Sequence, residues 1–254
     1  MRDLLKSIYK SIVPDKLRLE INHFLFRVRA LKYTGSAVEC NCCGNQFSRF
    51  LPFGITQREG AACPYCNSLE RNRLLLFYLE RETLLFKKNN SVLHFAPEYS
   101  LEKKFKKLKE LDYISADINP ALAMQQVDIT AIKFPQERFD FIICSHVLMH
   151  VSNEELAIAE LYRVLRYGGS ALLMTYIEPN LENSFELPGK ISSQERLLHY
   201  GKPGVFRLHG KDFPKRLENA GFDVTAIDYA IMLGSETAAK YGLGKNEIIF
   251  HCTK

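Results

Sequence analysis

The sequence predicts an α/β protein: a doubly wound, mostly parallel sheet of seven strands, with a small cysteine-rich module in front of it. Two observations predict this. Cys40, Cys43, Cys63 and Cys66 form two C-x2-C pairs nineteen residues apart. Directly after them the apolar pattern alternates between short continuous runs and helical stripes, the pattern of strands joined by crossover helices. At 254 residues the chain can bury one substantial core plus a small satellite.

Composition sets the class. Hydrophobic residues make up 46% and charged residues 25%, ordinary for a globular protein. No apolar run is long enough to cross a bilayer, and MRDLLKSIYKSIVP lacks the apolar core and cleavage site of a secretory signal. The expected compartment is therefore the cytoplasm. Seven cysteines, five of them clustered, there point to metal or free thiols rather than disulfides.

Residues 1–36 read as a basic amphipathic helical arm. Leu4, Leu5, Ile8, Ile12 and Val13 recur at helical spacing, and Leu17, Leu19, Ile21, Phe24, Leu25 and Phe26 continue the stripe past Pro14. The net charge of +5 sits here: residues 1–34 hold eight Lys/Arg against three acids, and the remainder balances. Such a segment packs on its own domain with a solvated basic face, the favoured expectation, or lies on the anionic inner face of a membrane.

Residues 37–67 form the module. Zn²⁺ takes four soft ligands in a tetrahedron, and each C-x2-C turn presents two thiolates from one knuckle. Gly44 after the first pair and Pro64 within the second suit tight turns. Cys42 is left over and could replace Cys43, although the two-residue spacer is the better geometry. A cluster of metal-free thiols is the alternative. Four thiolates leave no open coordination position, so a structural zinc is expected rather than a catalytic one. Arg49, Arg58, Arg71 and Arg73 are sparse for nucleic-acid docking.

Residues 68–254 carry the alternating pattern. A helix is expected over 68–86, then a buried strand at 91–96 and a helix with an apolar face of Leu101, Phe105, Leu108 and Leu111. Strands follow at 113–118, 127–130 and 139–149. Ser152 and Glu155 suggest a capping box opening a helix that Gly168-Gly169 closes. A strand at 170–177, an irregular insert over about 178–210 and a helix ending at Gly221 lead to two late strands, 222–230 and 246–253. In such a sheet the ligand crevice lies at the carboxyl ends of the first strands. Asp117 stands there, where an acid can accept from both ribose hydroxyls, and Asp128 could accept from an adenine amino group. Single aspartates in such loops are more often turn formers.

The stretches VLHFAPE (92–98), SADI (115–118), VDIT (127–130), RFDFIICSHVLMHV (138–151) and ELYRVLRYGGSALL (160–173) together resemble the class I S-adenosylmethionine-dependent methyltransferases, type 11-like. The resemblance covers about residues 90–254, and CPYCNSLERNRLLLFYL resembles a bacterial subgroup in which a cysteine-rich segment precedes that Rossmann-like domain. It implies S-adenosylmethionine as cofactor, with Asp117 holding the ribose, Asp128 and Ile129 contacting adenine, Cys144, Ser145 and His146 lining the methionine side, and Ile118 among the cofactor-binding residues. The family's Gly-rich loop is replaced here by His94, Ala96, Pro97 and Glu98, with Glu98 offered to the methionine ammonium. Met149 and His209 also depart from the residues the resemblance leads one to expect, Glu and Tyr.

Methyl transfer from a sulfonium depends mostly on alignment, with a base where the acceptor is a hydroxyl or amine. His146 and His150, after the fourth sheet strand, and Arg207 and His209, from the insert expected to cover the acceptor, are the candidate catalytic groups. For any one histidine a hydrogen-bonded structural role is the commoner outcome. The leading expectation is a small-molecule or glycan methyltransferase. An RNA methyltransferase docking through the zinc module and a non-catalytic scaffold that kept the fold are the alternatives.

Overall fold

The computed structural model describes residues 13–54, 57–87, 89–189, 191–244 and 247–254. Helix α1 (Asp15–Ala30) leads through one 3-10 turn to two small antiparallel ribbons, β1 (Thr34–Cys40) with β2 (Asn45–Phe47), and β3 (Leu51–Phe53) with β4 (Arg58–Ala62). Helix α2 (Glu70–Glu82) follows, then β5 (Ser91–Phe95), α3 (Tyr99–Phe105), β6 (Asp112–Asp117), β7 (Gln125–Gln126) and β8 (Phe139–Ser145). Next come α4 (Glu154–Val164), β9 (Leu165–Met174), β10 (Phe185–Glu186), α5 (Ser193–Tyr200), β11 (Arg207–Leu208) and α6 (Phe213–Glu218). The chain ends with β12 (Asp223–Ile227), α7 (Tyr229–Leu233), α8 (Ser235–Tyr241) and β13 (Ile249–Thr253).

These elements form two compact units. The first takes the described part of 1–77 with Glu98–Lys104 and Leu233–Gly244; the second takes Tyr78–Pro97, Phe105–Met232 and the described part of 245–254. The cysteine unit is thus larger than the 37–67 segment the sequence suggested, because it recruits the first two turns of α2 and all of α8.

The second unit holds the expected seven-stranded sheet, in the order β12-β13-β9-β8-β5-β6-β7. β9, β8, β5, β6 and β7 run parallel, and β13 is antiparallel to both its neighbours. All five residues of β5 are buried, as a central parallel strand covered on both faces requires. Leu93, Phe95, Ile142, Cys144, Leu161, Val164, Leu173 and Phe250 belong to one continuous core.

Local boundaries differ from expectation in instructive ways. The third strand is Gln125–Gln126, and 127–130 is a turn instead; Asp128 Oδ1 accepts from both the amide (2.8 Å) and the hydroxyl (2.7 Å) of Thr130, an Asx turn that competes with strand pairing. The cap of α4 is Asn153, whose side chain accepts from Leu156 N, and not Ser152. Gly168 and Gly169 lie within β9 rather than closing α4. A Cβ on Gly169 would come within 2.9 Å of the carbonyls of Arg166 and Asp140, so the glycine answers a close strand approach. The late strand ends at Ile227, and α7 begins two residues on.

In the arm, α1 turns Arg29 and Ala30 inward, with Arg29 donating to the carbonyls of Cys63 and Pro64. Of its apolar residues, Leu17, Phe24, Leu25 and Val28 are exposed, and Leu19, Ile21 and Phe26 are partly buried. The expected stripe at Leu4, Leu5, Ile8 and Ile12 lies outside the described residues.

Candidate active site and candidate metal centre

The metal centre is built from the two ribbons of the first unit. The Sγ atoms of Cys40, Cys43, Cys63 and Cys66 all lie within 4.8 Å of one another, with Cys40–Cys66 at 3.7 Å and Cys43–Cys63 at 3.8 Å. A tetrahedron with zinc–sulfur bonds of about 2.3 Å has edges of about 3.8 Å, so the four thiols already stand at ligand spacing. Cys42 lies near Cys40 but donates to Asn41 Oδ1 at 3.7 Å and is not one of the four thiols that lie within 4.8 Å of one another. Neighbouring thiols, Cys42 and Cys43 first, hold the Cys40 thiol well below its ordinary pKa, and Cys40 in turn pushes Cys63 and Cys66 up. A cation at the centre would relieve that conflict. The Ser68 hydroxyl lies 3.1 Å from Cys40 Sγ and 3.3 Å from Cys66 Sγ, a support beyond the ligands that the spacing did not reveal.

Within the second unit, the carboxyl ends of β6, β5 and β8 stand side by side. Asp117 ends β6 half-buried, with Oδ1 accepting from Asn119 N at 2.8 Å, and Ile118 beside it is 70% exposed. Ala96, after β5, and His146, after β8, both have positive φ, 46° and 56°. Neither is glycine, and such backbone strain concentrates at functional sites. Ser145 closes β8, 7% exposed, and its buried Oγ has no hydrogen-bond partner among the described residues. A buried hydroxyl of this kind calls for a ligand or a water.

Other expected residues sit deeper or elsewhere. His94 is fully buried, with Nδ1 3.0 Å from the Tyr113 hydroxyl, and Cys144 and Ile129 belong to the core; these three support the edge from beneath instead of presenting to solvent. Asp128 is exposed in its turn. Glu98 belongs to the first unit, where Asn72 Nδ2 donates to it at 2.6 Å.

Arg207 and His209 are enclosed in the fold. Arg207, 1% exposed, donates to both Glu186 oxygens and to the carbonyls of Leu148, Val151 and Ser152. His209 is fully buried between Thr175 Oγ1 (2.8 Å) and Glu154 Oε1 (2.5 Å). Glu154 also pairs with Arg216. Burial works upward on the Glu154 carboxyl, but His209, Arg207 and Arg216 outweigh it and hold the pKa down. The printed contacts of Arg207 and His209 tie β11 of the insert to β10, to Leu148–Ser152 and to Glu154. In the insert itself, β10 pairs with β11, while Tyr200 and Val205 pack on Met149.

His146 and His150 remain at the edge. His150 is exposed, its Nδ1 2.8 Å from Gly204 O, so Nδ1 carries the hydrogen and Nε2 is the acceptor. His146 Nε2 lies 3.5 Å from Glu247 Oε2. Glu247 escaped sequence reasoning: it sits just before β13, far along the chain, and only the antiparallel return of that strand brings it here.

Residues 92–173, which span this edge, match the profile of a family described as "Methyltransferase domain". About a third of the chain is thus similar to a methyltransferase domain. Among curated proteins it is similar to the ubiquinone/menaquinone biosynthesis C-methyltransferase UbiE of Francisella tularensis subsp. novicida, 30% identical over 130 residues, 46% of this chain and 51% of that protein. UbiE of Teredinibacter turnerae is 28% identical over 110 residues, 38% of this chain and 44% of that one. The chain thus spans about half the length of the curated relatives it matches. Among solved structures, the cyclase SpnF aligns with a TM-score of 0.51 at 15% identity, covering 81% of this chain and 87% of that chain; at that identity the likeness concerns the fold alone. The matched residues run from β5 to β9, and leave α1, the cysteine ribbons, β12 and β13 outside the match.

Proposed function

We propose that the chain is an S-adenosylmethionine-dependent methyltransferase acting on a small-molecule or glycan acceptor, with a structural zinc ion held by Cys40, Cys43, Cys63 and Cys66. The observation that carries the cofactor reading is the edge of the methyltransferase domain, where Asp117, strained Ala96 and the unsatisfied Ser145 hydroxyl end three adjacent parallel strands. The residues fit the group: Asp117 would accept from the ribose hydroxyls, exposed Ile118 would cover the adenine, and Ser145 would gain its missing partner. Bound there, S-adenosylmethionine would supply an electrophilic methyl group for in-line transfer. His150 Nε2 is an acceptor available to take a proton from the acceptor molecule. His146 is the second candidate, with Nε2 3.5 Å from Glu247 Oε2, a carboxylate placed to orient the imidazole.

A compact acceptor is favoured over RNA because the basic side chains near the ribbons are spent internally. Arg73 is fully buried, Arg58 pairs with Glu70, and Arg29 is engaged by backbone carbonyls. The relatives' printed role as C-methyltransferases makes a carbon acceptor the first to assay. Calorimetric titration with S-adenosylhomocysteine tests the reading: wild type should bind, and Asp117→Ala should bind at least about tenfold more weakly. Absence of binding to wild type would sink it. RNA binding that weakens steeply with salt would instead restore the nucleic-acid alternative.

A further inference from the structure

Helix α1, in the first unit, has two unlike sides. Leu17, Ile21, Phe24, Val28 and Leu31 follow one another at spacings of four, three, four and three. At helical pitch they fall on one narrow stripe about 24 Å long, which Leu31 continues because it keeps the right-handed helical conformation just past Ala30. Ile21 is partly buried, but Leu17 and Val28 are exposed, Phe24 is 63% exposed and Leu31 76%. Leu25 widens the stripe on one flank and is also exposed. The other side fastens the helix to its own unit: Ala30 is buried, and Arg29 donates to the Pro64 carbonyl while lying 4.6 Å from the Phe26 ring centre. Large apolar side chains gathered on the outer side of a helix already anchored by its inner side mark an interaction surface.

Charge identifies the occupant. Residues 1–34 carry eight Lys/Arg against three acids, and the rest of the chain balances. Beside the stripe Arg27 and Lys32 are exposed, and exposed Arg49 lies 5.6 Å from the Tyr33 ring just beyond the helix. Asp15 is paired with Arg18, which leaves Glu20 as the exposed acid on α1. A second copy would set two basic arms against each other, and the stripe is shorter than the three or four heptads a coiled coil takes. An acidic lipid surface opposes the charge of the whole arm and receives a single row of apolar side chains without a matching groove. Among the described residues no helix is long and apolar enough to cross a membrane, so α1 is suited to lie along such a surface and not to span it.

We propose that α1 docks the first unit on an anionic membrane surface. Leu17, Phe24, Val28 and Leu31 enter the boundary between headgroups and acyl chains, and Arg27 and Lys32 meet the lipid phosphates. The docking concerns the first unit alone and is independent of the cofactor and acceptor proposed above.

Co-sedimentation of the full chain with vesicles tests it, comparing phosphatidylcholine alone with phosphatidylcholine holding about 30 mol% phosphatidylglycerol. Wild type should bind the anionic vesicles at least about tenfold more tightly, and added salt should weaken that binding. Phe24→Gln with Leu25→Gln should reduce it at least about tenfold, and Arg27→Gln with Lys32→Gln about 5- to 30-fold. All four side chains are exposed, so both double variants should keep the wild-type melting temperature, which separates lost docking from a lost fold. Absence of binding to anionic vesicles overturns the proposal, and so does binding that the Phe24/Leu25 variant leaves unchanged. A dimer in light scattering that this variant dissolves, with no vesicle binding, would make a second copy the occupant instead. Binding of polyglutamate but not of vesicles would make it an acidic protein.

Discussion

Arg73 is fully enclosed and has no acid beside it; it donates instead to the carbonyls of Ala61, Ser68, Tyr241 and Gly242, with its guanidinium 4.0 Å over the Phe50 ring. In the sequence it counted only as one of a few scattered bases, because spacing does not show which cation will be buried. Arg73→Met should cost about 3 kcal/mol or more in denaturant unfolding, since four buried carbonyls lose their donor. Lysine should rescue little, because an ammonium cannot reproduce the planar fork. Ser145→Ala separates ligand binding from stability. Removing an unsatisfied buried hydroxyl should raise the melting temperature without ligand by a few degrees or leave it unchanged, while weakening S-adenosylhomocysteine about 3- to 10-fold. A fall in stability with unchanged affinity would show that the hydroxyl serves the fold.

At the scale of elements, the proposed zinc would be the main support of the cysteine ribbons, with the close approach of α8 beside it. Apparent binding energies on the order of 10 kcal/mol are usual for structural zinc, far more than two short ribbons can bury. Chelation or Cys40→Ser should therefore unfold the ribbons, seen as lost amide protection over 34–66, whereas Cys42→Ser should retain one metal per chain by elemental analysis. Gly242 has φ 55°, and a Cβ there would lie 2.5 Å from the Phe50 ring. Gly242→Ala should destabilise by about 1–3 kcal/mol. The C-x2-C spacing made the ligands legible, because a knuckle is a local turn. The recruitment of α8 was not legible, because 233–244 has no sequence feature that names its partner.

Across the whole molecule, acid should be the weak direction. The Glu154 and Asp140 carboxyls both have pKa values held below their ordinary range: burial opposes this, but His209, Arg207 and Arg216 prevail at Glu154, and Ser91 and Arg166 at Asp140. A depressed carboxyl stabilises the folded state above its unfolded pKa, here near 4.5 for Glu154 and 3.8 for Asp140. That contribution disappears as pH falls through the folded values. Stability should thus be flat with respect to these two groups from about pH 7 to about pH 5 and fall below it. Glu154→Gln should lower the plateau and flatten the acid limb in urea titrations at several pH values; an unchanged acid limb would remove Glu154 from the account.

The sequence by itself determined the α/β sheet, the four-cysteine cluster and the place of Asp117 at a strand end. Each is written in short-range pattern: buried runs, knuckle spacing, an acid at a strand end. Tertiary structure alone decided which polar residues are buried in pairs and which stand at the sheet edge. Arg207 and His209 looked like acceptor-facing groups because they occupy an irregular insert, yet the fold buries them against Glu154 on another element. Glu247 gave no signal, because its neighbour His146 lies about a hundred residues away along the chain. Burial and pairing are properties of three-dimensional proximity, and a buried ion pair carries no period that a linear reading can detect.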